Sequence, residues 1–412
     1  MYPLGQGFVV QPEEALTATG GDDRERAFLR PFRIARDLTQ VSRSAFVIDF
    51  YPLGAEESRA QAPNLFQRVL DRVKPQRDQD NRESRRRKWW LFAEPVPALR
   101  HAVKRLDRFI FVPRTAKHFT FQFATTQTVP DTSVVAIASD DQLLLGLLSS
   151  RLHLVWARAA GGMLEDRPRY QHASTFNPFP FPTPTPSQAT RIRALGEQLD
   201  AHRKRQQSLH PTLTITGMYN VLEKLRSGEA LTAKEKGIHE QGLVSVLKQI
   251  HDDLDAAVFD AYGWPSTLTE EEILERLVAL NAERAEEERH GLVRWLRPEF
   301  QNPSGIQAAT QTDLGNGDES AEIEGLAAAS PRETTPWPAS LPLQIAAVRD
   351  LVASARGPRR LDEVVAAFRK AKPKEVKVAL ESLSVLGLAL AFETDAGRAW
   401  QAPSRAGTSP AS

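Results

Sequence analysis

Arg82, Arg85, Arg86, Arg87 and Lys88 run directly into Trp89 and Trp90. Guanidinium groups make paired hydrogen bonds with phosphate oxygens and with the guanine edge, and indole rings stack on bases. Arg114, Lys117 and His118 fall between two apolar, strand-like runs, where a loop would present them together. Arg167, Arg169 and Tyr170 precede a proline-rich stretch, again in a loop-like context. A solvated helix face over two core tryptophans would account for the first cluster alone. Three such clusters in one domain point to a nucleic-acid-binding surface: Arg85, Arg86, Arg87, Lys88 and Trp89 with Arg114, Lys117, His118, Arg167, Arg169 and Tyr170.

Catalytic motifs lack their context. Gly5-Gln6-Gly7 is not preceded by the full strand that leads into a cofactor-binding glycine loop. Asn177-Pro178-Phe179-Pro180 has the composition of the Asn-Pro-Pro-aromatic loop that grips an extruded base, but its prolines stand in the wrong order. Asp362 with Glu375-Val376-Lys377 imitates half of a nuclease motif on a stretch that reads as a salt-bridged helix. His251-Asp252-Asp253 has no second cluster at ligand spacing, and no nucleophile elbow occurs. The sequence has Cys 0, which removes disulfides, thiol nucleophiles and thiolate metal sites. The expectation is a chain with no catalytic, cofactor-binding or metal-ligating residues.

The bulk charge does not decide the partner, because 53 basic residues balance 52 acidic ones to a net +1; the placement of charge carries the signal. No run approaches the roughly 20 apolar residues of a membrane helix, and no secretory leader pattern opens the chain. A cytoplasmic protein without a membrane partner is expected.

The positioning elements read as follows. Residues 1–50 hold an apolar, turn-rich start, a helix-like segment from Gln11 and a strand at 45–50. That length is too short to bury a core of its own, so it reads as a connector to a partner or an upstream domain. Residues 51–186 mix helices with strands at 109–112, 119–123 and 134–137, then a helix over 141–160. Pro178, Pro180, Pro182, Pro184 and Pro186 close that domain. Residues 187–300 are helical, with amphipathic stretches beginning at Gln188, Met218, Ile238 and Thr269. Residues 301–338 have the aperiodic composition of a flexible linker. Residues 339–403 place three short helices before a ribbon, the winged-helix order. The fold class is α+β: a mixed α/β domain, a helical domain and a small winged-helix-like module.

Several blocks recur in a fixed order. They are Gly7-Phe8-Val9-Val10, Pro31-Phe32, Arg36-Asp37-Leu38, Val47-Ile48-Asp49-Phe50 and Val73-Lys74-Pro75. They continue with the run from Arg86 to Glu94, Leu148-Ser149-Ser150-Arg151-Leu152-His153, Ser174-Thr175-Phe176-Asn177-Pro178-Phe179-Pro180 and Ala261-Tyr262-Gly263-Trp264-Pro265. As an ordered set they resemble the C-terminal half of MmeI-like, type IIL adenine-specific DNA methyltransferases: the target-recognition domain and helical tail.

The resemblance implies DNA target recognition for site-specific N6-adenine methylation in restriction-modification or phage defence. Double-stranded DNA would be the partner and S-adenosylmethionine the donor. The family's cofactor loop and catalytic motif would lie upstream of Met1, so residues 1–50 would connect to an absent methyltransferase domain and this chain alone would be inactive. Two alternatives stand beside it: a free-standing specificity subunit that partners a separate methyltransferase chain, and an inactive truncated remnant.

Overall fold

The computed structural model describes residues 6–164 and 167–303. Beyond them it describes 335–338, 344, 347–349, 351, 352, 355, 358–369, 371–385, 389–394 and 397–401. Contacts group into two units, Met1–Gly315 and Asn316–Ser412. Gly5 and the stretch 304–334, most of the segment that reads as a linker, lie outside the described residues.

The first sheet gathers short β-rich runs from distant parts of the chain. Its spatial order is Val9–Val10, Phe46–Ile48, Leu29–Arg33, Val129–Pro130. Val9 pairs antiparallel with Val47 and Leu29 with Ile48, while Phe32 pairs parallel with Val129. Phe8, Val10, Val47 and Ile48 are fully buried, packed with Leu65, Phe66 and Val69 of the Pro63–Arg72 helix. The segment expected to be a connector is therefore built into this layer. Its own length is indeed too short for a core, but the following helix and a strand some eighty residues downstream supply the missing surface. Gly7 permits the approach, because a Cβ there would sit 2.7 Å from Val73 Cγ2.

In the second sheet Arg108–Pro113 runs between Gln122–Thr125 and Val134–Ile137, antiparallel to both. Strand alternation sends Phe109 and Phe111 to one face, against Leu38 and Val103, and Ile110 and Val112 to the other, against Leu144, Leu145 and Leu148. The strand expected over 119–123 forms only from Gln122. Before it, the Phe121 carbonyl accepts from Arg203 Nη2 at 2.6 Å, so that backbone is satisfied by a helix and not by a ladder.

The helix expected over 141–160 is two helices, Gln142–Ser149 and Arg151–Ala160, broken at the extended Ser150. The Asp255 carboxylate accepts the Arg151 backbone N–H at 2.7 Å and so caps the second helix from another part of the chain. Five helices follow: Pro186–Leu209, Ile215–Ser227, Ala233–Gly242, Val244–Tyr262 and Glu270–Arg289. Capping boxes at Thr185/Gln188, Thr232/Glu235 and Thr269/Glu272 start three of them. The amphipathic stretch read from Ile238 is split at Leu243, whose φ is +43°. Leu199, Met218, Leu222 and Leu254 share one core with Leu147, Leu152 and Trp156, so helical and sheet-bearing parts are packed as a continuous body.

In the second unit, the Leu361–Ala366 and Pro373–Val385 helices precede a hairpin of Leu390–Thr394 and Gly397–Gln401, which Arg359–Arg360 extends to three strands. Val348, Val352, Val364, Val376, Leu380 and Trp400 form its core. This is a winged-helix-like module, and the whole chain is α+β.

Candidate nucleic-acid interface

Arg114 leaves the central strand of the second sheet, and three backbone contacts fix its position. Its N–H donates to the Ser133 carbonyl at 2.7 Å, its carbonyl accepts the Tyr170 N–H at 2.7 Å, and Thr115 bridges Arg169. The short ribbon Met163–Leu164 and Arg167–Pro168 is thereby pinned beside the 114–118 loop. Gly161 is obligatory at its root, since a Cβ would overlap the Arg169 carbonyl oxygen at 1.9 Å. Arg114 Nε donates to the Thr132 carbonyl at 2.9 Å. Burial, and then the neighbouring Arg169, push its guanidinium below the ordinary arginine value, so two cations are held close together.

The 40–45 loop carries another held cation, Arg43. Arg43 donates from Nε and Nη2 to the two carboxylate oxygens of Asp37, at 3.0 and 2.8 Å. Asp37 is itself buried and accepts the Ile34 and Arg43 backbone N–H groups. These bonds hold the Asp37 carboxyl down, against its burial, and raise Arg43, whose other acidic neighbour is Asp131. Asp131 also acts favourably on the Arg114 guanidinium. Sequence reading misses Arg43. Its only signal is a polar loop, Val41-Ser42-Arg43-Ser44, before a strand, and the Asp37 clamp is visible only in three dimensions.

The other expected site residues divide. Lys117 is exposed, yet its Nζ donates to Asn220 Oδ1 and Glu223 Oε2, both at 2.8 Å. His118 is buried beside the Tyr219 ring, with Nε2 2.9 Å from Asn220 Oδ1, and burial lowers its pKa. Tyr170 is completely buried: its hydroxyl lies 2.9 Å from His153 Nε2 and its ring meets Phe119 and Phe121 edge-on. His118 and Tyr170 are thus supports beneath the loop and not contact residues, because their polar atoms are already paired inside the protein. Arg167 is exposed and shares a groove of about 450 Å³ with Thr39, Gln40, Lys117 and Thr216.

The Arg85–Lys88 cluster belongs to the other sheet. It lies on and beside the Glu83–Arg87 helix, and much of its charge is engaged. Arg85 pairs with Asp80 and Glu94, both at 3.5 Å, and Arg86 Nη1 donates to the Asp80 carbonyl at 2.6 Å. Arg87 and Lys88 are exposed and have no ion-pair partner among the described residues. Trp89 packs on Phe66 at 5.2 Å, and Trp90 Nε1 donates to the Leu53 carbonyl, so both indoles serve the first core.

The proline-rich loop is a joint. Phe179 meets His153 at 4.4 Å between ring centres and also packs on Trp156, and the Pro180 carbonyl accepts from Tyr262 Oη at 2.9 Å. His251 is buried with Nε2 2.8 Å from Tyr219 Oη. Among the described residues no group of His, Asp and Glu has the arrangement of a metal site, and no helix is long and apolar enough to cross a membrane.

Two small sheets with a pinned basic ribbon, closed against a helical bundle, define the class as an α+β recognition module. Residues 3–183 match the family described as MmeI, target recognition domain, and this part of the chain is an MmeI-like target-recognition domain. The match begins at residue 3, so the strands before residue 50 fall inside it, in keeping with their burial. A solved structure of the type IIL restriction-modification enzyme MmeI in complex with DNA is similar at a TM-score of 0.52 and 20% identity. That similarity covers 68% of this chain and 35% of the enzyme, so the chain spans about a third of the length of the protein it matches. At that identity the likeness is one of fold. No curated protein matches the chain.

Proposed function

We propose that this chain reads DNA sequence for a restriction-modification system of the type IIL kind, in which N6-adenine methylation is performed by a domain or chain other than this one. The observation that carries the reading is the pair Arg114 and Arg169, on backbone that is fixed by Ser133, Tyr170 and Gly162, within the stretch that matches the target-recognition family. Fixed guanidinium forks suit the O6 and N7 atoms of guanine, and they lose little freedom on binding. Arg167 and Lys117, exposed on the adjoining groove, extend the same surface toward the duplex. Arg87 and Lys88 would add phosphate contacts without sequence information.

S-adenosylmethionine, the donor in such a system, would bind outside this chain; at Gly7 an added Cβ would meet Val73 and Arg72 at 2.7 to 2.9 Å, in keeping with a packing role for that glycine. No step of methyl transfer is assigned to these residues.

Selection from a pool of random DNA duplexes tests the proposal. The chain should enrich one short motif, and Arg114→Ala or Arg169→Ala should relax a position of it at a cost of about 1–3 kcal/mol. Equal binding to every sequence would overturn it. Titration with S-adenosylmethionine should give no binding, and co-purification of a methyltransferase chain would identify the catalytic partner as separate.

A further inference from the structure

A second concavity lies where the Arg151–Ala160 helix meets the Ile215–Ser227 and Val244–Tyr262 helices, sharing His118 with the groove beside the arginine ribbon. Its volume is about 510 Å³, within the range of small-molecule sites. Ser149 borders it, 4% exposed, with its hydroxyl closed off from the cavity.

Arg151 and Arg158 stand on the same wall, two helical turns apart on one face. Neither has a carboxylate within ion-pair distance among the described residues, although acids lie nearby. Those acids are engaged elsewhere. Glu223 pairs with Lys117 at 2.8 Å and with His118 at 3.5 Å. Asp252 pairs with Lys248 at 2.5 Å and Arg226 at 3.3 Å, and Asp255 accepts the Arg151 backbone N–H. Burial lifts the Asp255 carboxyl to about 6, which reduces the negative charge the cavity presents. Glu270 is exposed where it borders the cavity. Phe119, Leu154, Leu222 and Phe259 give the cavity its apolar lining.

Two guanidinium groups without an ion pair, set among apolar lining residues, complement an anion carried on a flat apolar body. We propose that this cavity binds a nucleoside monophosphate unit, its phosphate on Arg151 and Arg158 and its base against Phe119, Leu222 and Phe259. The unit could come from free nucleotide or from an unstacked nucleotide of bound DNA; the chemistry is the same, and the test separates them. The inference does not depend on the arginine ribbon reading sequence.

Calorimetric titration of the full chain with the adenosine, guanosine, cytidine and thymidine 5′-monophosphates should show binding of at least one below about 1 mM. The matching nucleoside and inorganic phosphate should each bind at least about tenfold more weakly, because each keeps half of the contacts. Arg158→Gln, at an exposed position that leaves the fold intact, should weaken the nucleotide by about tenfold. Displacement of the bound nucleotide by a duplex with one unpaired nucleotide, but not by a fully paired duplex, would identify DNA as the source. Failure of both duplexes to displace it would identify free nucleotide. The proposal is overturned if all four monophosphates fail to bind, or if Arg158→Gln and Arg151→Gln leave their affinity unchanged.

Discussion

Replacing Arg85, Arg86, Arg87 and Lys88 together with alanine separates counting charges from locating them. If all four touched phosphates, their loss would lower the log–log salt slope of DNA binding by about 3.6, at about 0.9 for each contact. The structure allows fewer contacts. Arg85 is engaged by Asp80 and Glu94, and Arg86 donates to the Asp80 carbonyl. Arg86, Arg87 and Lys88 remain exposed without an ion pair among the described residues, so the slope should fall by no more than about 2.7. Fluorescence anisotropy of a labelled duplex across salt concentrations reads the slope directly. Preference among duplex sequences should stay the same, since phosphate contacts carry no base information. A fall near 3.6 would show that Asp80 and Glu94 release Arg85 to DNA. An unchanged slope would remove the cluster from the interface, and a changed preference would give it a role in base reading.

Three further outcomes follow from the packing. Amide exchange should be slow at Val10 and across Phe46–Ile48, because these strands are paired and buried; rapid exchange there would mean that the first sheet does not hold in solution. Tyr170→Phe removes the bond to His153 and should cost about 0.5–1.5 kcal/mol in chemical denaturation while leaving DNA preference intact; a change in preference would return Tyr170 to the contact surface. His153 is buried and its pKa is lowered from 6.5 to about 3, so between those values the unfolded chain binds the extra proton. Its contribution to stability should therefore be full above pH 6.5 and fall as pH drops toward 3, and His153→Gln should flatten that part of the stability profile. An equally steep profile in the variant would assign the acid sensitivity to other groups.

Much of this arrangement is written locally. The Thr269/Glu272 box starts a helix, Gly263 ends one at φ +67°, and the alternating run from Phe109 to Val112 makes the central strand. These features depend on neighbours within a few residues, which a linear reading contains. What it does not contain is the distant partner. Ser150 breaks a helix where Asp255 supplies the cap, and Phe121 leaves the ladder because Arg203 takes its carbonyl. Residues 9–48 look like a connector until Leu65, Phe66 and Val129 close over them. The candidate site divides in the same way. Arg114 and Arg169 sit at a turn that local patterning marks, while the burial of His118 and Tyr170 depends on Asn220 and His153, and the setting of Arg43 on Asp37.

Those distant partners also tie the helical part to the second sheet and its loop. Arg203, almost wholly buried, donates to the Phe121 carbonyl at 2.6 Å and to Tyr219 Oη at 3.1 Å, while Lys204 donates to the Phe123 carbonyl and Asp200 accepts the Phe123 N–H. Together these close the edge of the second sheet that would otherwise face water. The same helices hold the loop at its tip: Asn220 and Glu223 take Lys117 and His118, and Thr216 accepts from the Gln40 amide beside Arg43. Arginines read bases only if their backbone is held still, because a fork displaced by an ångström loses one of its two bonds. The Arg114 backbone is fixed by Ser133 and Tyr170, and the Lys117 and His118 side chains beyond it by Asn220 and Glu223. The boundary drawn at the proline run is therefore a change of secondary structure inside one packed body.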